Sequence, residues 1–68
     1  MGFIELTCEG GPIYISIDSI IVVESDKGSG SVVAVTPYFP KYYHVDEEPK
    51  EVIRRIYWVK GLIKKANR

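Results

Sequence analysis

KYYHVDEEPKEVIRRIYWVKGLIKKANR, residues Lys41–Arg68, is the stretch in which the chain changes its hydrophobic period. Lys41–Val45 is short and rich in aromatic residues, the composition of a strand. Asp46, Glu47 and Glu48 then place carboxylates where the first turn of a helix has unpaired N–H groups and a positive dipole end, and Pro49 fits the first helical position. From there Val52, Ile53, Ile56, Val59, Leu62, Ile63 and Ala66 fall on one stripe when residues are spaced about 100° apart. Lys60, Lys64, Lys65 and Arg68 load the other end, where cations favour the negative dipole end. The pattern predicts a helix over about residues 49–66. Gly61 lies opposite the stripe and costs about 1 kcal/mol relative to alanine, which weakens the last turns.

Working back from the helix, the chain reads as strands separated by turn formers. Phe3–Cys8 alternates, with Ile4, Leu6 and Cys8 on one side. Glu9-Gly10-Gly11 supplies a tight turn, because glycine reaches the positive φ of hairpin turns. Pro12–Ile17 points Ile13, Ile15 and Ile17 inward. Asp18-Ser19 breaks the pattern before a third strand, Ile20–Ser25. The segment Asp26–Gly30 has the composition of a hairpin loop, and Ser31–Thr36 returns from it. Pro37-Tyr38-Phe39-Pro40 interrupts the ladder, because proline donates no backbone hydrogen bond. The expected fold is α+β: a four- or five-stranded antiparallel β-meander over about residues 3–45, with one C-terminal helix packed on the sheet, in a single domain spanning residues 1–68.

One feature of the third strand reaches beyond the fold. Simple alternation sends Ile20 and Val22 one way and Ile21 and Val23 the other, and Val32, Val33 and Val35 repeat the theme on the next strand. A sheet covered on one face alternates apolar and polar residues, so apolar residues on both sides imply two covered faces. One helix covers one face. A second copy of the chain is the simplest cover for the other.

Composition points the same way. A 68-residue chain holds one domain, and at this size about 60% of the unfolded surface is buried, so stability is marginal without added support. Cys8 is the only cysteine, which excludes an internal disulfide, and Cys8 with His44 falls short of the four ligands of a structural zinc site. Self-association is the remaining support. No apolar run approaches a membrane span, and the N-terminus lacks the basic-then-apolar layout of a signal peptide, so the expected compartment is the cytoplasm. Net charge is zero but unevenly spread. Residues 1–49 hold two basic groups against eight acidic ones, and residues 50–68 hold seven basic groups against Glu51 alone. Such a charge dipole bears on partners rather than on fold.

The residues able to do chemistry do not form a recognisable constellation in sequence. Histidine is the residue type whose unperturbed pKa lies near neutrality, and Cys8 or Asp46 would have to come beside His44 to make a catalytic pair; a strand histidine among aromatics and a small buried cysteine are the simpler readings. Gly10-Gly11 and Gly28-x-Gly30 precede strands rather than a helix and lack a following Gly-Lys-Ser/Thr, so they form no phosphate cradle. The expectation is a non-enzyme without cofactor or metal.

Ile4-x-Leu6-Thr7 at the start, Gly10-Gly11 at the first turn, Ile15-x-Ile17-Asp18-x-Ile20, and Val45-x-Glu47 followed by Glu51-Val52-x-x-x-Ile56 together resemble the FlbD-like family, short bacterial proteins linked to flagella and swarming motility. The resemblance covers about residues 3–56 and implies ancestry shared with motility accessory proteins. The chain differs in its proline-bracketed aromatic loop and its long basic helix extension.

Two surfaces are candidates for binding. One is the helix face away from the stripe, where Lys50, Arg54, Tyr57, Lys64 and Arg68 gather with Trp58 and Lys65 at its edge; basic groups beside aromatics can hold phosphates and stack on bases. The other is the aromatic cluster of Tyr38, Phe39, Tyr42 and Tyr43 around Pro37 and Pro40, since aromatics on a restricted backbone bring contact area at small entropy cost, with alternate members such as Tyr43 free to pack under the helix instead. The expected function is protein–protein association, with the chain itself as partner and another protein as a further one. The alternative is a nucleic-acid-binding accessory protein using the helix face. An acidic first half favours contact between protein surfaces of opposite sign over a uniformly basic footprint.

Overall fold

The structure, a computed structural model, describes residues 2–36 and 41–61. Five antiparallel strands and one helix follow in the order β1 (Phe3–Cys8), β2 (Gly11–Ser16), a 3-10 turn (Ile17–Ser19), β3 (Ile20–Ser25), β4 (Ser31–Val35), β5 (Lys41–Val45) and α1 (Pro49–Lys60). The class is α+β, as the sequence pattern predicts. The strands form two sheets, a β1–β2 hairpin and a three-stranded β3–β4–β5 sheet. The division falls at Asp18-Ser19, where the 3-10 turn Ile17–Ser19 ends the first hairpin and β3 goes on to pair with β4 rather than β2. A main-chain bond from Asp46 N–H, just after β5, to Thr7 O of β1 joins the two sheets, while Ile17 N–H to Gly2 O extends the β1–β2 ladder and Thr36 N–H to Ser19 O the β3–β4 ladder.

The core lies between the sheets and under the helix. It contains Ile4, Leu6, Ile15, Ile17, Val33, Val45, Val52 and Ile56, with Cys8, Ile13, Ile20, Val23, Val35 and Tyr43 packed around it. The inward set read from strands β1 and β2 is therefore the observed one. The helix stripe is narrower than its periodicity implies. Val52 and Ile56 are buried, whereas Ile53 and Val59 are exposed at 36% and 41%. The reason is geometric: α1 packs on β1 and β3, and only its central line reaches the core.

A β-bulge alters the phase of β3. Ile20 pairs with Val35 and Val22 with Ala34, so Ile21 is the extra residue. Ile20 and Val23 then share the core side, and Ile21 and Val22 turn outward, exposed at 57% and 42%. The simple alternation expected for Ile20–Val23 is corrected accordingly. Gly61 is also recast. It ends α1 in the left-handed conformation (φ 78°), donating to the carbonyls of Trp58 and Tyr57, so it caps the helix rather than weakening its interior. Residues 62–66 of the predicted helix lie outside the described residues.

Candidate association surfaces

The N-terminal end of α1 is held to β1 by a carboxylate. Glu47 sits in the turn between β5 and α1, where one oxygen accepts the Thr7 backbone N–H and the other the Thr7 hydroxyl, each at 2.9 Å. Arg55 Nη1 reaches the same carboxylate at 3.3 Å and the Glu5 carbonyl at 2.7 Å. The Glu47 carbonyl in turn accepts the hydroxyl of buried Ser31. Burial pushes the Glu47 carboxyl up, but the two Thr7 donors, its own backbone N–H and the Arg55 charge outweigh it and hold the group below its ordinary range. Thr7 and Glu47 both belong to the motif quoted above, and the fold places them in contact across 40 positions of sequence.

Glu51 organises the next turn of the helix. It binds Arg54 through two hydrogen bonds of 2.9 and 2.7 Å and Arg55 through one of 2.7 Å. The Arg54 bonds, then the one from Arg55, pull its carboxyl down to about 2. The Arg54 guanidinium also lies 5.9 Å over the Trp58 ring. Of the sequence-predicted site residues, Arg54 and Trp58 are thus brought together. Lys50, Tyr57 and Trp58 are exposed on the helix. Tyr42 is 61% exposed on β5, while its neighbour Tyr43 packs against the core with Lys41 Nζ over its ring. Tyr38, Phe39, Lys64 and Lys65 lie outside the described residues.

Three surfaces result. On the outer face of the three-stranded sheet, Val22, Ala34 and Tyr42 are paired neighbours in one row across β3, β4 and β5, with Glu24, Val32 and His44 in a second row. Between β1 and α1 runs an open groove of about 470 Å³, bounded by Phe3 and Glu5 on one side and Arg54, Arg55 and Val59 on the other. Beside the loop before β4, His44 Nδ1 and Asp26 Oδ2 are 3.1 Å apart at the surface. The His44 hydrogen bond, then the Lys27 backbone N–H, keeps the Asp26 carboxyl below its ordinary range. His44 therefore bonds Asp26 rather than Cys8 or Asp46. Burial, then the charges of Asp46 and Glu47, pushes the Cys8 thiol up, away from the reactive thiolate. No cluster of three or more potential metal ligands occurs among the described residues, and none of their helices is long and apolar enough to cross a membrane.

Sequence reasoning misses two of these features: the outward turn of Ile21 and Val22, and Arg55 as a structural link. A bulge leaves no mark in a run of β-branched residues, so the first had no signal. The comparisons with known proteins add no relative: no family model, no curated protein and no solved structure matches the chain.

Proposed function

We propose that this chain is a small, non-catalytic association module of the cytoplasm whose principal partner is a second copy of itself. The observation that carries the reading is the apolar row on the outer sheet face. Val22 and Tyr42 stand exposed on either side of buried Ala34 in one row, and Ile21 is exposed next to Val22 where a groove runs toward Ile53 and Lys60 of α1. A surface of this kind gains free energy when covered, by about 25 cal/mol for each Å² of apolar area removed from water. Zero net charge leaves no overall repulsion to keep like copies apart. Kinship with motility accessory proteins is part of the proposal, supported by the Thr7–Glu47 contact that joins the two halves of the quoted motif.

The nucleic-acid reading is the weaker one, because Arg54 and Arg55 both bind Glu51 and so offer phosphate less than their number implies. The test is solution mass by sedimentation from low to high micromolar concentration, for the natural chain and for an Ile21→Ser/Tyr42→Ser double variant. Both positions are exposed, so the variant should fold. The natural chain is expected to associate and the variant to associate more weakly. A natural chain that stays monomeric with its fold intact would sink the reading.

A further inference from the structure

Resting on the association reading, but using a different surface, we propose that the open edge of β1 pairs with β1 of a second copy about a two-fold axis at Ile4. β1 has a strand on one side only. Its residues alternate in direction, and the observed bonds show which ones face the free edge. Thr7 uses both its N–H and its carbonyl there, with Glu47 and Asp46, and Glu5 presents its carbonyl there to Arg55. Gly2, by contrast, turns its carbonyl to Ile17 on the β2 side. Phe3, Glu5 and Thr7 are therefore the edge-facing set. Thr7 is closed by its own chain. Among the described residues, the N–H and carbonyl of Phe3 and the N–H of Glu5 have no partner across the edge. These are main-chain groups at strand spacing, a template on which another extended main chain can replace water.

The closed position at Thr7 selects the register. In an antiparallel pair of identical strands, centring on Glu5 would set Glu5 against Glu5, like charges face to face, and Phe3 against the blocked Thr7. Centring on Phe3 would leave Glu5 beyond the partner's strand, which starts at Phe3. Centring on Ile4 sets Phe3 opposite the partner's Glu5 and the reverse. Each such pair exchanges two main-chain hydrogen bonds, so every open group of the edge is used. The Glu5 carbonyl keeps its Arg55 bond, because a carbonyl oxygen has two lone pairs. Phe3 and Glu5 are both exposed, so their side chains are accessible at the junction. The groove of about 470 Å³ runs along this edge, between β1 and α1.

Disulfide trapping tests the register. In a Cys8→Ser background, Phe3→Cys and Glu5→Cys are made as separate proteins, and mild oxidation is applied to each alone and to their mixture. Directly opposed residues lie within disulfide reach, whereas like positions in this register are offset diagonally and lie beyond about 7 Å. The mixture is expected to give a covalent dimer in several-fold excess over either protein alone. The yield should persist in the Ile21→Ser/Tyr42→Ser background, because that surface is separate. The Glu5 amide should also exchange more slowly with solvent as the natural chain is concentrated. If the chain associates by mass but the mixture traps no more dimer than the single variants, the edge pairing is overturned and the association reading stands. If the chain is monomeric throughout, both fall.

Discussion

Replacing Glu47 with alanine removes the acceptor that joins β1, the β5–α1 turn and α1, and its cost can be built from the contacts. Glu47 accepts two hydrogen bonds at 2.9 Å from Thr7 and a longer one from Arg55, with a side chain only 11% exposed. Hydrogen bonds to a charged group contribute about 1.5–3 kcal/mol each. They act on one side chain and are not additive, so a total of about 2–4 kcal/mol is the reasoned loss. A chain of this length has about 3–10 kcal/mol in all. Glu47→Ala should therefore lower the urea midpoint sharply, with the slope m unchanged if the native state keeps its compactness. Thr7→Val removes the hydroxyl and keeps the backbone N–H, so its loss should be about 1 kcal/mol. The two changes should be strongly non-additive, because they share a partner. A Glu47→Ala loss under about 0.5 kcal/mol, or simple additivity with Thr7→Val, would refute the claim that this carboxylate holds the helix to β1.

Acid should act through the same helix end. Glu47 and Glu51 both have lowered folded values, so they contribute stability that is present above their ordinary value of 4.5 and lost as pH falls through the folded one; for Glu51 the window runs from about 4.5 down to about 2. Urea midpoints measured at intervals across that range should fall, and Glu51→Gln should flatten part of the slope. Gly30→Ala should destabilise by more than about 1 kcal/mol, because Gly30 has φ 79° and a Cβ there would meet the Val45 carbonyl oxygen at closer than contact distance; an unchanged melting temperature would count against it. Ile56→Asp puts a charge at a position 8% exposed, at several kcal/mol against a small total, and should abolish the cooperative melt followed by helical circular dichroism.

How much of this is visible in sequence depends on whether the determinant is local. The α1 start is, because carboxylates, Pro49 and the Val52/Ile56 spacing all lie within a few residues. The inward residues of β1 and β2 are, because alternation is a local property. The split into two sheets is signalled only as a break at Asp18-Ser19; its consequence depends on which strands later find one another. The bulge at Ile21 is invisible, since any register of Ile20–Val23 places valine or isoleucine on both sides. Gly61 is ambiguous for a different reason: a glycine within a periodic helical segment and a glycine that ends it have the same neighbours in sequence. Of the candidate site, Arg54 and Trp58 are readable as neighbours from their spacing of one helical turn. Thr7 with Glu47 is not, because nothing local joins positions 40 apart.

The charge dipole of the sequence leads to a last prediction, and the structure changes its sign of importance. Opposed segments suggest that copies meet acid to base, in which case salt should weaken association. Yet the described arginines of α1 are already committed. Arg54 and Arg55 bind Glu51, and Arg55 also binds Glu47, all within one chain. What the outer sheet face offers a second copy is instead Ile21, Val22 and Tyr42, and what the β1 edge offers is main-chain hydrogen bonds. Neither depends on long-range charge. Raising salt through the range that shortens screening from about 10 Å to about 3 Å should therefore change the association constant only slightly. Apolar contact should also strengthen when a salt-out anion such as sulfate replaces chloride at equal ionic strength. Sedimentation at the two salt levels and with the two anions checks both statements. A steep loss of association with salt, indifferent to the anion, would mean that the cations still unpaired on the chain meet the acidic first half of another copy, and the sheet face would lose its place as the main contact.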